Sequence, residues 1–298
     1  MALLHMAQML TPFKILHLEP TDACNAACPQ CSRETDTSFD KKNLHHLTIE
    51  QIRKQLGDDI ISNLDKMFMC GDYGDPAAGK HTLDIYRYFR TVNPGISLGM
   101  NSNGGLRDQD WWHELGIILN TEKDYSVFSI DGLEDTNHIY RINVNWNKVI
   151  ENAQTFIKAG GRAHWDMLVF EHNEHQVNAC EQLARDLGFK WFRAKITRRH
   201  EINPVKFLNP PKGWKNPTVR FGNISCQALN EQSRYMSAEG VIYPCCYLGI
   251  TDNSIDQFET IKQSWKTDQP NDMCYTTCRS VEEVTSFTGQ WQHEVEFK

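Results

Sequence analysis

A chain of 298 residues with 40% apolar content and 8 tryptophans can bury one large core and a smaller second one, so one to two domains are expected. The net charge of −7 and an isoelectric point of about 5.9 leave no basic footprint, which argues against nucleic acid and an anionic membrane as partners. The apolar N-terminal extension, residues 1–12, lacks a basic leader and is shorter than the ~20 residues of a membrane span. With ten cysteines and no secretory signal, the chain reads as cytoplasmic.

From residue 13 onward, short β-rich runs alternate with longer helical ones. Strands are expected at Phe13–Leu18, Lys66–Cys70, Ile96–Met100, Tyr125–Ile130, Asp166–Phe170 and Trp191–Ile196. Helices are expected at Thr48–Leu64, with Thr48 as N-cap, and at Asp84–Thr91, Asp108–Leu119, Trp146–Ala159 and Glu174–Leu187. Gly160-Gly161 and Gly188 should stop the last two. Six β/α repeats imply parallel strands joined by right-handed crossovers. The fold class is therefore α/β, with a partial (β/α)6 TIM-like barrel over residues 13–202, whose chemistry should gather at the C-terminal strand ends.

Residues 203–222 carry Pro204, Pro210, Pro211, Gly213 and Pro217 and read as a linker. Residues 223–298 read as a small α+β domain. Cys226 precedes a β-hairpin, Arg234–Met236 and Val241–Cys246 about a turn at Gly240, followed by a helix near Ile255 to Trp265 and by Cys274 and Cys278.

The first strand leads into Cys24-Asn25-Ala26-Ala27-Cys28-Pro29-Gln30-Cys31. Three thiols spaced C-x₃-C-x₂-C suit a soft metal or an iron–sulfur cluster, and three ligands for a four-iron cubane leave one iron open. Structural zinc prefers two short-spaced pairs, and a disulfide framework suits a small secreted chain. Leu18-Glu19-Pro20-Thr21-Asp22-Ala23, leading into this triplet, resembles the cluster loop of the radical SAM superfamily. The resemblance implies a [4Fe-4S] cluster on Cys24, Cys28 and Cys31 that binds S-adenosylmethionine (SAM) at the open iron. It implies reductive cleavage to a 5′-deoxyadenosyl radical that abstracts a substrate hydrogen, and a reductant such as flavodoxin or ferredoxin.

Further segments are similar to the family's motifs. Tyr73-Gly74-Asp75-Pro76, after the second strand, resembles G-G-E-P, which binds the amino group of SAM; Tyr replaces the first Gly and the shorter Asp the Glu, and the contact through backbone carbonyls survives both. Asn101-Ser102-Asn103-Gly104 is similar to the T-N-G turn below the adenosine. Ser129-Ile130-Asp131-Gly132 resembles the S-x-D-G segment near ribose and substrate, and Arg141 stands where relatives keep an arginine for the SAM carboxylate. Each tetrapeptide alone is also an ordinary turn; their order and spacing carry the weight. Asn101, Asn103, Ser129, Asp131 and Arg141 are thus candidate cofactor-binding residues. Glu171, Asn173, Lys195 and Arg198 are expected to line the cavity. Cys70 is a candidate hydrogen donor to a product radical, against the alternative that it only packs; Cys180 is the weaker candidate.

The C-x₁₃-G-x₄-C interval from Cys226 through Gly240 to Cys245 resembles the start of the SPASM/Twitch domain. That resemblance implies one auxiliary [4Fe-4S] cluster on Cys226, Cys245, Cys274 and Cys278. Cys245 is preferred over Cys246 because it keeps the interval, and structural zinc is the alternative occupant. A fully ligated cluster suits electron transfer, which favours oxidative modification of a peptide or protein side chain or a small molecule. No leader-recognition domain is expected ahead of the first strand. The competing reading is a zinc-stapled, non-catalytic binding protein on a degenerate barrel.

Overall fold

Six strands follow one another in parallel: β1 (Ile15–Leu18), β2 (Lys66–Met69), β3 (Ser97–Ser102), β4 (Tyr125–Ser129), β5 (Ala163–Leu168) and β6 (Trp191–Lys195). The structure is a computed structural model that describes residues 13–197, 199–202, 204–212, 223–251, 257–278 and 291–298. The extension 1–12, Arg198, most of the expected linker and the start of the helix expected from Ile255 lie outside the described residues.

The helices between the strands are α1 (Ile49–Ser62), α2 (Thr82–Val92), α3 (Gln109–Ile118), α4 (Glu134–Tyr140), α5 (Trp146–Lys158) and α6 (Val177–Asp186). Their starts follow from local chemistry. Thr48 and Gln51 form a reciprocal capping box on α1, Asp108 accepts from the Trp111 N–H on α3, and Asn145 accepts from the Lys148 N–H on α5. Gly160 and Gly188, both at positive φ, close the two helices they follow.

One sheet face packs on these helices. Leu16, Leu18, Met67, Met69, Leu98 and Met100 are fully buried there, and the Trp112 ring of α3 lies 5.0 Å from Phe128 and 6.5 Å from Phe156 of α5. Each such large side chain contributes about 1.5–3 kcal/mol of burial. The opposite face is closed low in the sheet by Lys66, whose ammonium sits 4.8 Å above the Tyr125 ring, by His164 stacked on Tyr125, and by Trp191 beside His164.

Three features differ from the sequence reading. The fifth strand begins at Ala163 rather than Asp166, because Ala163 and Trp165 fill the core and pair with β4, and it ends before Phe170, whose N–H goes to the Asn173 side chain. The expected hairpin forms from β7 (Ser233–Met236) and β8 (Ile242–Tyr243), but β7 also pairs in parallel with β1, extending the same sheet. An unexpected strand, β9 (Trp291–Glu296), adds antiparallel to β6. The sheet order is β8-β7-β1-β2-β3-β4-β5-β6-β9. Among the described residues, no helix is long and apolar enough to cross a membrane.

Candidate functional site

The loop after β1 is fastened before any metal is considered. The Asp22 carboxylate accepts from the His45 N–H at 2.7 Å and from His45 Nδ1 at 2.8 Å, the Arg33 guanidinium donates to the Asp22 carbonyl, and Thr21 bridges to His46. In the loop so held, Cys24, Cys28 and Cys31 are free thiols, and each meets a different motif. Asn103 Nδ2 donates to Cys24 Sγ at 3.7 Å, Arg141 Nη1 donates to Cys28 Sγ at 3.7 Å, and Cys31 Sγ donates to the Asp72 carbonyl at 3.8 Å. Burial pushes the Cys24 thiol up to about 12 and raises Cys28 as well. A coordinating metal takes the place of such a proton, and N–H groups directed at sulfur are how proteins stabilise cluster thiolates. The donor set and its surroundings fit an iron–sulfur cluster.

The segment after β2 explains its own departures from G-G-E-P. A Cβ on Gly74 would lie 1.8 Å from the Thr21 carbonyl oxygen, so the loops carrying the thiols and the turn touch backbone to backbone. Tyr73 is tolerated because its ring points away, stacked 4.7 Å from Phe39 with its hydroxyl donating to Asp36 Oδ2 at 2.8 Å. Asp75 is fully engaged: Oδ1 accepts from the Ser102 hydroxyl at 2.8 Å and the Ala77 N–H at 2.9 Å, and Oδ2 from the Asn103 N–H at 2.7 Å. Its carboxylate ties the turn to β3, and Pro76 opens a short 3-10 turn.

The other candidates cluster at the same end. Asn103 Nδ2 also donates to Asn25 Oδ1 at 2.9 Å. The fully buried Asp131 accepts from Arg141 Nε at 2.7 Å and from the Leu168 N–H at 2.6 Å, which aims the guanidinium at Cys28. Ser129 ends β4, and Asn101 on β3 bonds the Cys70 thiol. Asn173 is a staple, donating to the Asp131 and Leu168 carbonyls, and Glu171 pairs with Asn209. Lys195, with Arg193, pairs with Asp166. Cys180 packs in the core on α6.

The partners of several residues here have no sequence signature. Glu19 is buried and bonds the Tyr73 and Gly74 amides as well as the Tyr235 hydroxyl of β7. Burial, then the Glu19 charge, raises Asp72 to about 8. Cys70 is raised to about 12 by burial, with Asp72 and Glu19 adding to it. A carboxylate beside a motif could have been noticed; its partners, 54 and 216 positions away, could not.

The C-terminal cysteines form a second group. A small core of Leu248, Phe258, Ile261 and Cys274 packs with Cys226, Cys245 and Trp265, and the Ser225 N–H donates to the Cys278 carbonyl. After burial, the charges that raise the Cys245 thiol are Cys278, Cys226 and Cys274. Cys246 instead responds, after burial, to Asp72, Cys245 and Cys70. The separation arises because Cys245 is extended while Cys246 begins the short helix Cys246–Ile250. Among the described residues, no group of three or more His, Cys, Asp and Glu side chains is gathered tightly enough for a single metal ion.

Similarity to known proteins agrees with this geometry. The Streptococcus suis protein SuiB, solved with its precursor peptide SuiA, superposes with a TM-score of 0.60 at 13% identity over 93% of this chain and 69% of that one. The protein anSMEcpe, solved with bound AdoMet, superposes with a TM-score of 0.57 at 16% identity, over 90% of this chain and 80% of its own. At such identities the likeness is one of fold, the partial barrel. No curated protein matches the chain. The sequence profile described as the radical SAM superfamily matches residues 18–183, more than half of the chain and the whole span from the cysteine loop to α6, and the protein belongs to that superfamily.

Proposed function

We propose that this protein is a SAM-dependent radical enzyme in which Cys24, Cys28 and Cys31 hold a [4Fe-4S] cluster, and that it oxidatively modifies a peptide or protein side chain. When bound, the cluster supplies the electron that splits SAM to a 5′-deoxyadenosyl radical, which takes a hydrogen atom from the substrate. The observation that carries this reading is the set of contacts around the thiols: Asn103, just past β3, and Arg141, at the C-terminal end of α4, each direct an N–H at one sulfur.

The chain's own residues then have separable tasks. Arg141, held by Asp131, presents a fixed cation for the SAM carboxylate. The backbone of Tyr73 to Pro76 offers carbonyls to the amino group, and Asn101, Asn103, Ser129 and Asp131 border the nucleoside. Cys70, kept protonated by burial, has a hydrogen to give if the product radical is quenched instead of oxidised. Cys226, Cys245, Cys274 and Cys278 would hold an auxiliary [4Fe-4S] cluster that accepts or conducts the electron, in a Twitch-type unit over residues 223–298 that follows the barrel of residues 13–202. A peptide is favoured as substrate because SuiB and anSMEcpe are both solved with peptides, SuiA and Cp18Cys. A flavodoxin or ferredoxin suits the reductant, and a cytoplasmic setting suits both clusters.

Anaerobic reconstitution tests the reading. Two cubanes' worth of iron and sulfide, and 5′-deoxyadenosine formed from SAM under reduction, are expected. A colourless zinc protein that leaves SAM intact would instead be the stapled binding protein. Deuterium transfer from a labelled peptide into 5′-deoxyadenosine identifies the substrate.

A further inference from the structure

Three separate parts of the chain meet at Glu19. Its side chain is 1% exposed. Oε1 accepts from the Tyr73 N–H and the Gly74 N–H, both at 2.9 Å, and Oε2 accepts from the Tyr235 hydroxyl. Its backbone N–H donates to the Met236 carbonyl at 2.9 Å, so main chain and side chain both grip β7. Pro20 follows and restricts Glu19 to extended backbone, which fixes where the carboxylate points.

Two consecutive amides aimed at one oxygen set the directions of the carbonyls in the same peptide planes. In a trans peptide, N–H and C=O point opposite ways, so holding the Tyr73 and Gly74 amides on Glu19 turns the Asp72 and Tyr73 carbonyls toward the cysteine loop. The contact between the Asp72 carbonyl and Cys31 Sγ has that direction. Gly74 is pressed against Thr21 on the other side, so the turn has no alternative place to rest.

We propose that Glu19 is a positioning residue for SAM. It holds the turn so that its carbonyls face the incoming amino group, and through Tyr235 it makes that shape depend on the seating of the C-terminal hairpin. The hairpin runs on from β8 to Cys245, so the loops of both cysteine groups are braced through one carboxylate. The inference rests on the SAM-binding reading above.

The test uses the reconstituted full chain with Glu19→Leu, Glu19→Gln and Tyr235→Phe, read by hydrogen–deuterium exchange of peptides spanning Tyr73 and Gly74 and by KM for SAM against kcat for 5′-deoxyadenosine. Loss of charge-assisted bonds in Glu19→Leu should abolish protection of these amides and raise KM by about tenfold to a hundredfold, with kcat and iron content nearly unchanged. Glu19→Gln keeps an acceptor and Tyr235→Phe removes one bond, so each should raise KM by about twofold to tenfold. If Glu19→Leu does not fold, those two variants decide. A fall in melting temperature with wild-type exchange and wild-type KM in the folded variants would make Glu19 merely structural and overturn the proposal. Failure of the wild type to hold iron or cleave SAM sinks the radical reading itself, an outcome the exchange data do not share.

Discussion

Replacing Gly74 by alanine probes the closest approach in the site. The added Cβ would sit 1.8 Å from the Thr21 oxygen, 2.6 Å from its carbonyl carbon and 2.8 Å from the Asp22 Cα, whereas real Cβ contacts essentially never fall below 3.0 Å. All three obstacles are backbone, so no side chain can swing aside, and the two loops must part by about 1 Å or more. Overpacking of this kind costs about 1–3 kcal/mol. A displacement of about 1 Å in a positioning element is worth about a hundredfold in rate. Thermal melting and 5′-deoxyadenosine formation by Gly74→Ala at SAM concentrations below KM, with iron content as control, should show a modest loss of stability and a large loss of kcat/KM for SAM. A variant that melts and turns over like the wild type would refute the claim that the thiol loop and the turn are locked together by backbone contact.

The auxiliary group makes a sharper distinction: Cys245→Ala should lose about half of the bound iron, as expected for one of two four-iron clusters, while Cys246→Ala should keep it, as read by iron and sulfide analysis. On β1, burial lowers His17 from 6.5 to about 4, with its Nε2–H bonded to the Cys70 carbonyl. The imidazole therefore stays neutral in the fold while the unfolded chain takes up a proton, so its contribution is intact above pH 6.5 and lost as pH falls toward 4. Because the side chain is only part-buried, the loss should be about 1–3 kcal/mol, visible in urea unfolding as a steeper acid slope than that of His17→Phe. At the other end of the sheet, buried Asp124 accepts from Arg90 at 2.5 Å and from the Leu98 N–H at 2.8 Å. Asp124→Ala leaves the Leu98 N–H without its acceptor and Arg90 with only backbone partners, and should cost about 1–3 kcal/mol in the same assay without altering iron content.

The six β/α repeats were legible because each strand is short, apolar and bounded by helix caps the sequence spells out, Thr48, Asp108 and Asn145 among them. The edges were not. Trp291-Gln292-His293-Glu294-Val295-Glu296 has too little apolar content to announce a strand, and it becomes one by pairing with β6 about a hundred residues earlier. The hairpin of β7 and β8 could be read from its turn, since Gly240 sits at positive φ, but its parallel register on β1 is a long-range choice with no local signature. The displaced start of β5 has the same origin: Ala163 to Trp165 become strand by pairing in parallel with Ser126 to Phe128 of β4.

Within the site, legibility followed how local the chemistry is. Three thiols in eight residues stand out by their spacing alone, and the fold keeps all three in one loop. Asp75 could be placed in the turn but not given its task, because a carboxylate with three donors on two elements serves the fold first, and those donors come from Ser102, Asn103 and Ala77. Glu19 stands at the far extreme, since its neighbours in sequence say nothing of Tyr235. The strand that supplies Tyr235 also forms the outer neighbour of β1, so the pairing that hid Glu19 from the sequence is the one that gives it a purpose. A hairpin added as a separate unit could leave the turn at Tyr73 and Gly74 untouched; a hairpin hydrogen-bonded along β1 cannot shift without pulling the carboxylate that accepts from the amides of that turn.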